Sequence, residues 1–225
     1  VANFNSALTD GGTLTISVGT VNFNAATSVA GALNLSGGVL SGSGVVTVNG
    51  TGSQWSGGTM SGTGSTVVSG TNTLELSGGT KFFTQRTLTT GGLTTWSGGA
   101  IGAGNGGTFN NNGTFDIQVT TTWFNNFGGN STTLNNAGAL TRTQGTGVAG
   151  LDKAIVNNTG SVNVQTGTLR LSGNAVAGEI GSGNGSYTVA AGTTLNFDGG
   201  TYNVGGAIAG AGSLALTGAS FTHTG

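Results

Sequence analysis

The chain has 225 residues, of which 48 are glycine, and it contains neither proline nor cysteine. Only 5% of the residues are charged and the formal net charge is -1, so the basic surface that nucleic-acid binding needs is missing. The composition also excludes disulfides and thiolate metal sites, and no run of eighteen apolar residues predicts a membrane-spanning helix.

A glycine-rich composition is typical of flexible linkers, but two features indicate a folded chain. Hydrophobic residues make up 35% of the sequence and the net charge is close to zero, whereas disordered segments combine low hydrophobicity with high net charge. Proline has no N–H to donate to a β-ladder. Its absence therefore indicates that most backbone groups pair between strands.

Three short motifs recur along the chain. Leu-Ser-Gly-Gly at 35–38 returns as Trp-Ser-Gly-Gly at 55–58, Leu-Ser-Gly-Gly at 76–79 and Trp-Ser-Gly-Gly at 96–99, at an almost constant spacing. An apolar residue followed by small residues and glycine occurs at 40–44, 60–64, 101–104, 180–183 and 208–212. An apolar residue followed by two asparagines occurs at 109–115, 134–140 and 156–162.

Apolar residues alternate with polar ones inside each repeat, as in Leu33-Asn34-Leu35, and glycine pairs interrupt the alternation. This pattern predicts short half-buried strands joined by tight turns. A repeat of about 20–25 residues built in this way is one rung of a β-solenoid. We therefore expect residues 1–225 to form a single all-β domain of roughly ten or eleven rungs, with wider rungs around 109–165.

Equal positions in successive rungs should lie above one another, which predicts two interior stacks. The first contains Leu35, Trp55, Leu76 and Trp96. The second contains Leu40, Met60 and Ile101, with Phe82 or Phe83 in the rung between. The paired asparagines should form hydrogen-bonded ladders.

Two runs, Gly167–Gly173 and Val156–Val164, resemble the repeats of bacterial surface β-helix proteins, namely filamentous-haemagglutinin-like adhesins and autotransporter passenger domains. The resemblance covers about residues 11 to 220. It implies a right-handed parallel β-helix that serves as an extracellular stalk or adhesive shaft. The chain departs from these families in having no amphipathic helical cap and no membrane-barrel region, so we expect a segment or subunit of something longer.

Aromatic residues give two candidate surface sites. Trp55 and Trp96 could stack on carbohydrate, but they fill the same repeat position as leucines, which favours the core. Another aromatic run does not match any of the recurring motifs; it contains Trp123, Phe124 and Phe127. It is either a wide rung with a larger core or a surface patch for a glycan or protein partner.

The segment Lys81–Arg86 is the second candidate, with Lys81, Phe82, Phe83 and Arg86 as its residues. It replaces a small glycine corner found in other rungs. Either it forms a bulged rung with solvated charges, or it makes a lateral contact with a partner.

Catalytic, cofactor and metal sites are not expected. The aspartates are widely spread, and the lone His223 has no cysteine or acidic residue near it in the sequence. Asp116 and Arg142 lie about one wide rung apart and are candidates for a structural pair. Asp152 and Lys153 predict a local ion pair in an exposed loop.

Three functions remain open, and an enzyme is not expected. The first is a non-enzymatic extracellular shaft or segment of a bacterial surface adhesin, whose partners are flanking repeats and a surface glycan or host partner. The second is a filament subunit that stacks on other copies head to tail, because uncapped solenoid ends expose strand edges. The third is an ice-binding solenoid, although its Thr-x-Thr pairs recur irregularly. Each predicts a location outside the cell or on its surface, without membrane insertion.

Overall fold

The computed structural model describes residues 1–173 and 179–225. These residues form short β-strands joined by tight corners, and none of them is helical. Accordingly, no described segment forms a helix of the length and apolar character that a membrane crossing requires.

The described part of the chain contains 32 strands. The first twelve are β1 (Ala2–Phe4), β2 (Leu8–Asp10), β3 (Leu14–Ile16), β4 (Thr20–Phe23), β5 (Thr27–Val29), β6 (Leu33–Leu35), β7 (Val39–Ser41), β8 (Val45–Val48), β9 (Ser53–Trp55), β10 (Gly58–Met60), β11 (Ser65–Val68) and β12 (Leu74–Leu76). The next twelve are β13 (Lys81–Thr84), β14 (Thr87–Thr90), β15 (Leu93–Trp96), β16 (Ile101–Gly104), β17 (Thr108–Asn111), β18 (Thr114–Ile117), β19 (Thr122–Asn125), β20 (Thr132–Asn136), β21 (Ala139–Arg142), β22 (Val148–Asp152), β23 (Ala154–Asn158) and β24 (Ser161–Val164). The last eight are β25 (Thr168–Ser172), β26 (Ile180–Gly183), β27 (Ser186–Val189), β28 (Thr194–Asp198), β29 (Thr201–Val204), β30 (Ile208–Ala209), β31 (Ser213–Thr217) and β32 (Ser220–His223).

Strands pair in parallel with the strand three places along the chain, except that β23 and β26 pack together without a paired register, and this produces a three-sided solenoid. Sheet A contains every third strand from β1 to β31, sheet B from β2 to β23 and sheet C from β3 to β30. Sheet D consists of β26, β29 and β32, and β26 packs on β23, so it continues sheet B. The strands make ten turns and begin another. The predicted all-β parallel solenoid is therefore confirmed.

The rungs vary in length more than the repeats indicate. On sheet A, a short turn connects Val21 with its partner Leu40, whereas a much longer turn connects Trp123 with its partner Leu151. A second long turn runs from Leu171 to its partner Phe197. Between Trp123 and Leu151, loops between the strands hold the extra residues, while the strands keep their register.

The first predicted interior stack is confirmed. On sheet C, Leu35 pairs with Trp55, Trp55 with Leu76 and Leu76 with Trp96. All four side chains are at most 2% exposed. The two tryptophans thus belong to the core and are not exposed carbohydrate-stacking residues.

Within each of these rungs, the volumes of the two inward side chains of the sheet C strand compensate for each other. The tryptophans share their strands with small inward residues, and the leucines share theirs with a second leucine. The inward pairs are Leu33 with Leu35, Ser53 with Trp55, Leu74 with Leu76, and Thr94 with Trp96.

The second predicted stack is correct except for one member. Leu40 pairs with Met60, Met60 with Phe83, and Phe83 with Ala103. Ile101 is buried but lies at an earlier position in the strand, beside Lys81. Because residues 101 and 103 both face inward, the motif match selected the wrong one of the two.

Two asparagine ladders run side by side on sheet B. In the inner ladder, Asn111 Nδ2 donates to Asn136 Oδ1 (2.6 Å) and Asn136 Nδ2 donates to Asn158 Oδ1 (2.8 Å). The outer ladder joins the preceding asparagines in the same three strands, at 2.9 and 3.0 Å. The inner side chains are fully buried and each also donates to a backbone carbonyl beyond the corner.

Glycines at the corner after these ladders permit close stacking of the backbone. Gly113, Gly138 and Gly160 lie in successive rungs. A methyl group on Gly138 would overlap the carbonyl oxygen of Gly113, and one on Gly160 would overlap that of Gly138. The recurring Asn-Asn-x-Gly motif therefore supplies both the ladder and the space for the next rung.

Candidate functional site

Aromatic residues from the two candidate segments meet on the outer face of sheet A. The rings of Phe82, in β13, and Phe127, after β19, lie edge to face with their centroids 6.0 Å apart. Phe124 of β19 is two rungs from Phe82, and Gly102 lies between them in register. Phe127 is exposed and the other two are half-buried. We call Phe82, Phe124 and Phe127 the aromatic patch.

The other four residues of the candidate segments lie inside the solenoid. Lys81, Phe83, Arg86 and Trp123 are all buried, so the expectation that they form a surface contact is wrong. Strand alternation explains the first two, because they flank the outward-facing Phe82 and point inward. The alternative of solvated charges at this rung is wrong for the same reason.

The ammonium group of Lys81 sits in a cage of backbone carbonyls. Its Nζ donates to the carbonyl oxygens of Ser77 (2.5 Å), Gly79 (2.9 Å) and Gly98 (2.7 Å). Three acceptors match the three donors of a lysine ammonium group. Burial lowers the pKa of Lys81 from its ordinary 10.5 to about 8.

We expect the free energy of unfolding to rise between pH 8 and pH 10 because of Lys81. In this range the unfolded chain keeps the lysine proton, with a pKa of 10.5, whereas the folded protein releases it above about pH 8. Stability rises with pH wherever the unfolded state binds more protons, and the gain over this range is about 2 kcal/mol. Below pH 8 both states are protonated and the dependence disappears.

Urea unfolding at several pH values, followed by tryptophan fluorescence, measures this rise. Lys81→Met should remove the slope, and Lys153→Met should retain it because Lys153 is exposed. An equal slope in the parent and in Lys81→Met contradicts the assignment. Burial raises the pKa values of Tyr187 and Tyr202, so both ionise first in the unfolded chain and lower stability as the pH approaches 10. Lys81→Met keeps both tyrosines, so the difference between the parent and this variant isolates the contribution of Lys81.

Arg86 is also buried, and its guanidinium group forms hydrogen bonds inside the solenoid. Its Nε donates to Thr66 Oγ1 (2.8 Å), and its Nη atoms donate to the carbonyls of Ser61 (3.1 Å) and Ser65 (2.7 Å). Burial lowers the pKa of its guanidinium group. Arg86 therefore ties together the corner between sheets A and B in neighbouring rungs.

Arg142 occupies the interior column that contains Trp96. It pairs with Ile117 on sheet C. Its guanidinium donates to the carbonyls of Val119 (2.6 Å), Gly145 (3.2 Å) and Gly147 (3.0 Å), and burial lowers its pKa. The bonds to the two glycines fix the lateral loop of the longest rung.

A charged cluster follows the aromatic patch on sheet A. Arg170 Nε and Nη2 donate to the two carboxylate oxygens of Asp152, at 3.0 and 2.6 Å, and Asp198 Oδ2 lies 3.9 Å from Nε. The hydrogen bond to Asp152 raises the pKa of Arg170. We call Asp152, Arg170 and Asp198 the charged cluster. The predicted pairing of Asp152 with Lys153 is wrong, since Arg170 in the next strand takes the carboxylate.

Asp116 and Arg142 do not form the ion pair considered from the sequence. The Asp116 carboxylate accepts hydrogen bonds from Gln118 Nε2 (2.8 Å), Thr141 Oγ1 (3.0 Å) and Thr143 Oγ1 (2.8 Å). Its partners Thr141 and Thr143 flank Arg142, which points inward. The two charged groups therefore lie on opposite faces of sheet C.

Sequence reasoning does not find Arg170 or Asp198. Strand alternation does place both side chains outward. Arg170 lies between the buried Leu169 and Leu171, and Asp198 follows the buried Phe197. Their proximity depends on the long turn from Leu171 to Phe197, which the regular spacing of the Ser-Gly-Gly repeats does not indicate. In the described ranges, no group of three or more acidic or histidine side chains is placed to hold a metal ion.

Comparison with known proteins gives no match to a family model, to a curated protein or to a solved structure. The resemblance to bacterial surface β-helix proteins therefore depends on the repeat pattern alone.

Proposed function

We propose that this chain is a non-enzymatic segment of an extracellular shaft, of the kind found in bacterial surface adhesins. The observation that supports the proposal is the continuous interior, in which buried side chains stack through all ten turns. Each rung pairs along its strands with the rungs on either side. At about 4.8 Å per turn the rod is about 50 Å long, and added rungs would lengthen it without changing its section.

The use of the cations supports a structural role. Lys81, Arg86 and Arg142 are all committed to carbonyl or hydroxyl groups inside the rod. They hold corners and loops in place. A catalytic cation, in contrast, would face a substrate. The flanking partners in this proposal are further rungs of the same chain.

Immunogold labelling of intact cells of the encoding organism tests the proposal. Antibodies raised against the purified rod should label the outer surface without permeabilisation. Label that appears only after the membrane is opened contradicts an extracellular shaft.

A filament subunit is the second candidate, and the surface of the last described rung favours it. Leu214 and Leu216 are 43% and 52% exposed there. A cavity of about 390 Å³ is lined by Leu214 together with Val189, Ile208 and Phe221. Another rung placed on this surface, from a second copy, would cover these apolar groups and pair with the open strand edges.

Leu214→Lys should abolish end-to-end fibres and leave the rod folded, because the charge would be buried at the junction. Negative-stain electron microscopy at high protein concentration measures the fibres, and circular dichroism measures the fold. Leu93→Lys is the matched control, since Leu93 is also 43% exposed but lies on the outer face of sheet C. Single rods in the parent chain, or equal loss of fibres in both variants, contradict the filament.

A further inference from the structure

We propose that the outer face of sheet A binds a neutral polysaccharide along a strip made by the aromatic patch and the charged cluster. This inference rests on the proposed shaft function and deepens it by assigning a ligand class to one face. The two parts of the strip lie on the same sheet, one after the other along the rod axis.

Register in sheet A aligns the strip. Trp123 pairs with Leu151, which places Asp152 one rung after Phe124. At about 4.8 Å per rung, the strip extends about 24 Å along the axis. Its outward positions in successive strands are Phe82, Gly102, Phe124, Asp152, Ser172 and Asp198.

The ring of Phe82 is packed on two sides in the absence of a ligand. The ring of Phe82 lies over Gly102, where a β-carbon would approach its Cδ1 to 2.9 Å. The ring of Phe127 packs against Phe82 edge to face. Because the ring of Phe82 is held in place, binding on this surface loses little side-chain entropy.

The charged part presents planar polar groups in a fixed arrangement. The bidentate bond between Arg170 and Asp152 holds both groups, and Gly150 leaves space for Arg170 to lie across the sheet. Asp198 lies 3.9 Å from the guanidinium, beyond hydrogen-bond distance, and is partly exposed. Its carboxylate therefore retains acceptor capacity for hydroxyl groups of a ligand.

A sugar chain fits this combination better than a protein partner does. Pyranose rings present C–H faces that pack on aromatic rings, and a rim of hydroxyls that bond to carboxylate and guanidinium groups. A stable protein partner needs roughly 800 Å² on each side with an apolar centre. This strip is narrow, and glycine, serine and charged residues interrupt it.

The charge of the cluster selects among polysaccharides. Two carboxylates accompany one guanidinium, so the cluster carries a net negative charge and repels polymers rich in uronic acid. Arg170 is already bound to Asp152, so it is not a free site for an anion. The ligand class is therefore a neutral polysaccharide.

Affinity electrophoresis through gels that contain one polymer each tests the strip. The probes are hydroxyethylcellulose, glucomannan and arabinoxylan as neutral polymers and polygalacturonate as the anionic one. We expect at least one neutral polymer to retard the parent chain and polygalacturonate to leave it unretarded. Phe124→Ala and Asp198→Asn should each lower the association constant at least tenfold.

Phe4→Ala is the matched control, because Phe4 is an exposed aromatic residue in the first rung, outside the strip. It should leave retardation unchanged, and circular dichroism should show all variants folded. No retardation by any neutral polymer, stronger retardation by polygalacturonate, or equal loss in Phe4→Ala overturns the strip. The shaft proposal is tested independently, since surface labelling of cells does not depend on polysaccharide binding.

Discussion

Asn136→Ala should lower the free energy of unfolding by about 3–5 kcal/mol, because it breaks the buried ladder at its centre. Three hydrogen bonds are lost: from Asn111 Nδ2, to Asn158 Oδ1, and to the carbonyl of Ser161. The two ladder bonds are buried, so water does not replace them, and Asn158 Oδ1 loses its donor, whereas Asn111 Nδ2 keeps its bond to the carbonyl of Ala139. Urea unfolding followed by tryptophan fluorescence gives the difference.

The neighbouring Asn135 provides the control. It makes two ladder bonds, with Asn110 and Asn157, but it lies on the outer face and is only half-buried. Water can replace those bonds, so Asn135→Ala should cost about 1 kcal/mol. Equal losses in the two variants would show that burial does not determine the strength of the ladder.

Gly138→Ala should lower the free energy of unfolding by about 3 kcal/mol or more. The added methyl group would overlap the carbonyl oxygen of Gly113, and that atom belongs to a backbone fixed by pairing on both sides. Relief requires the two rungs to separate locally, which breaks ladder hydrogen bonds. Thermal and urea unfolding should both show the loss.

Gly79→Ala is the matched substitution in open space. The nearest atom to a β-carbon there is the carbonyl oxygen of Ser56, at 3.9 Å, and the backbone is not left-handed. Replacement of glycine by alanine at such a position stabilises proteins by about 0.4–1 kcal/mol through the unfolded chain. Destabilisation of similar size in both variants would rule out rung-to-rung contact as the cause.

The core between residues 33 and 96 could be predicted because turn length is nearly constant there. The evenly spaced repeats place Leu35 and Trp55 in one column, and strand alternation points them inward. The prediction for Ile101 is wrong because β16 directs both Ile101 and Ala103 inward. A motif match cannot distinguish these two residues without the register of the strand before them.

The buried cations could not be predicted from the rule that charged residues face water. Corners of a solenoid leave backbone carbonyls directed inward, and these offer Lys81 and Arg142 the acceptors that solvent would provide. More than half of the candidate residues therefore lie inside the rod, while Phe82, Phe124 and Phe127 lie on the surface as expected. The charged cluster depends on the length of one irregular turn, which is visible only in the folded chain.

The pairing of small inward residues with tryptophan has a consequence for how such rods change over time. A rung with two leucines and a rung with Thr94 and Trp96 fill similar volumes, so whole rungs can be exchanged while the column stays filled. A single substitution, such as Leu76→Trp alone, would exceed the interior volume of its rung, because Leu74 would remain beside the tryptophan. The repeat is thus a modular unit for duplication and recombination, whereas its individual positions are tied together in pairs.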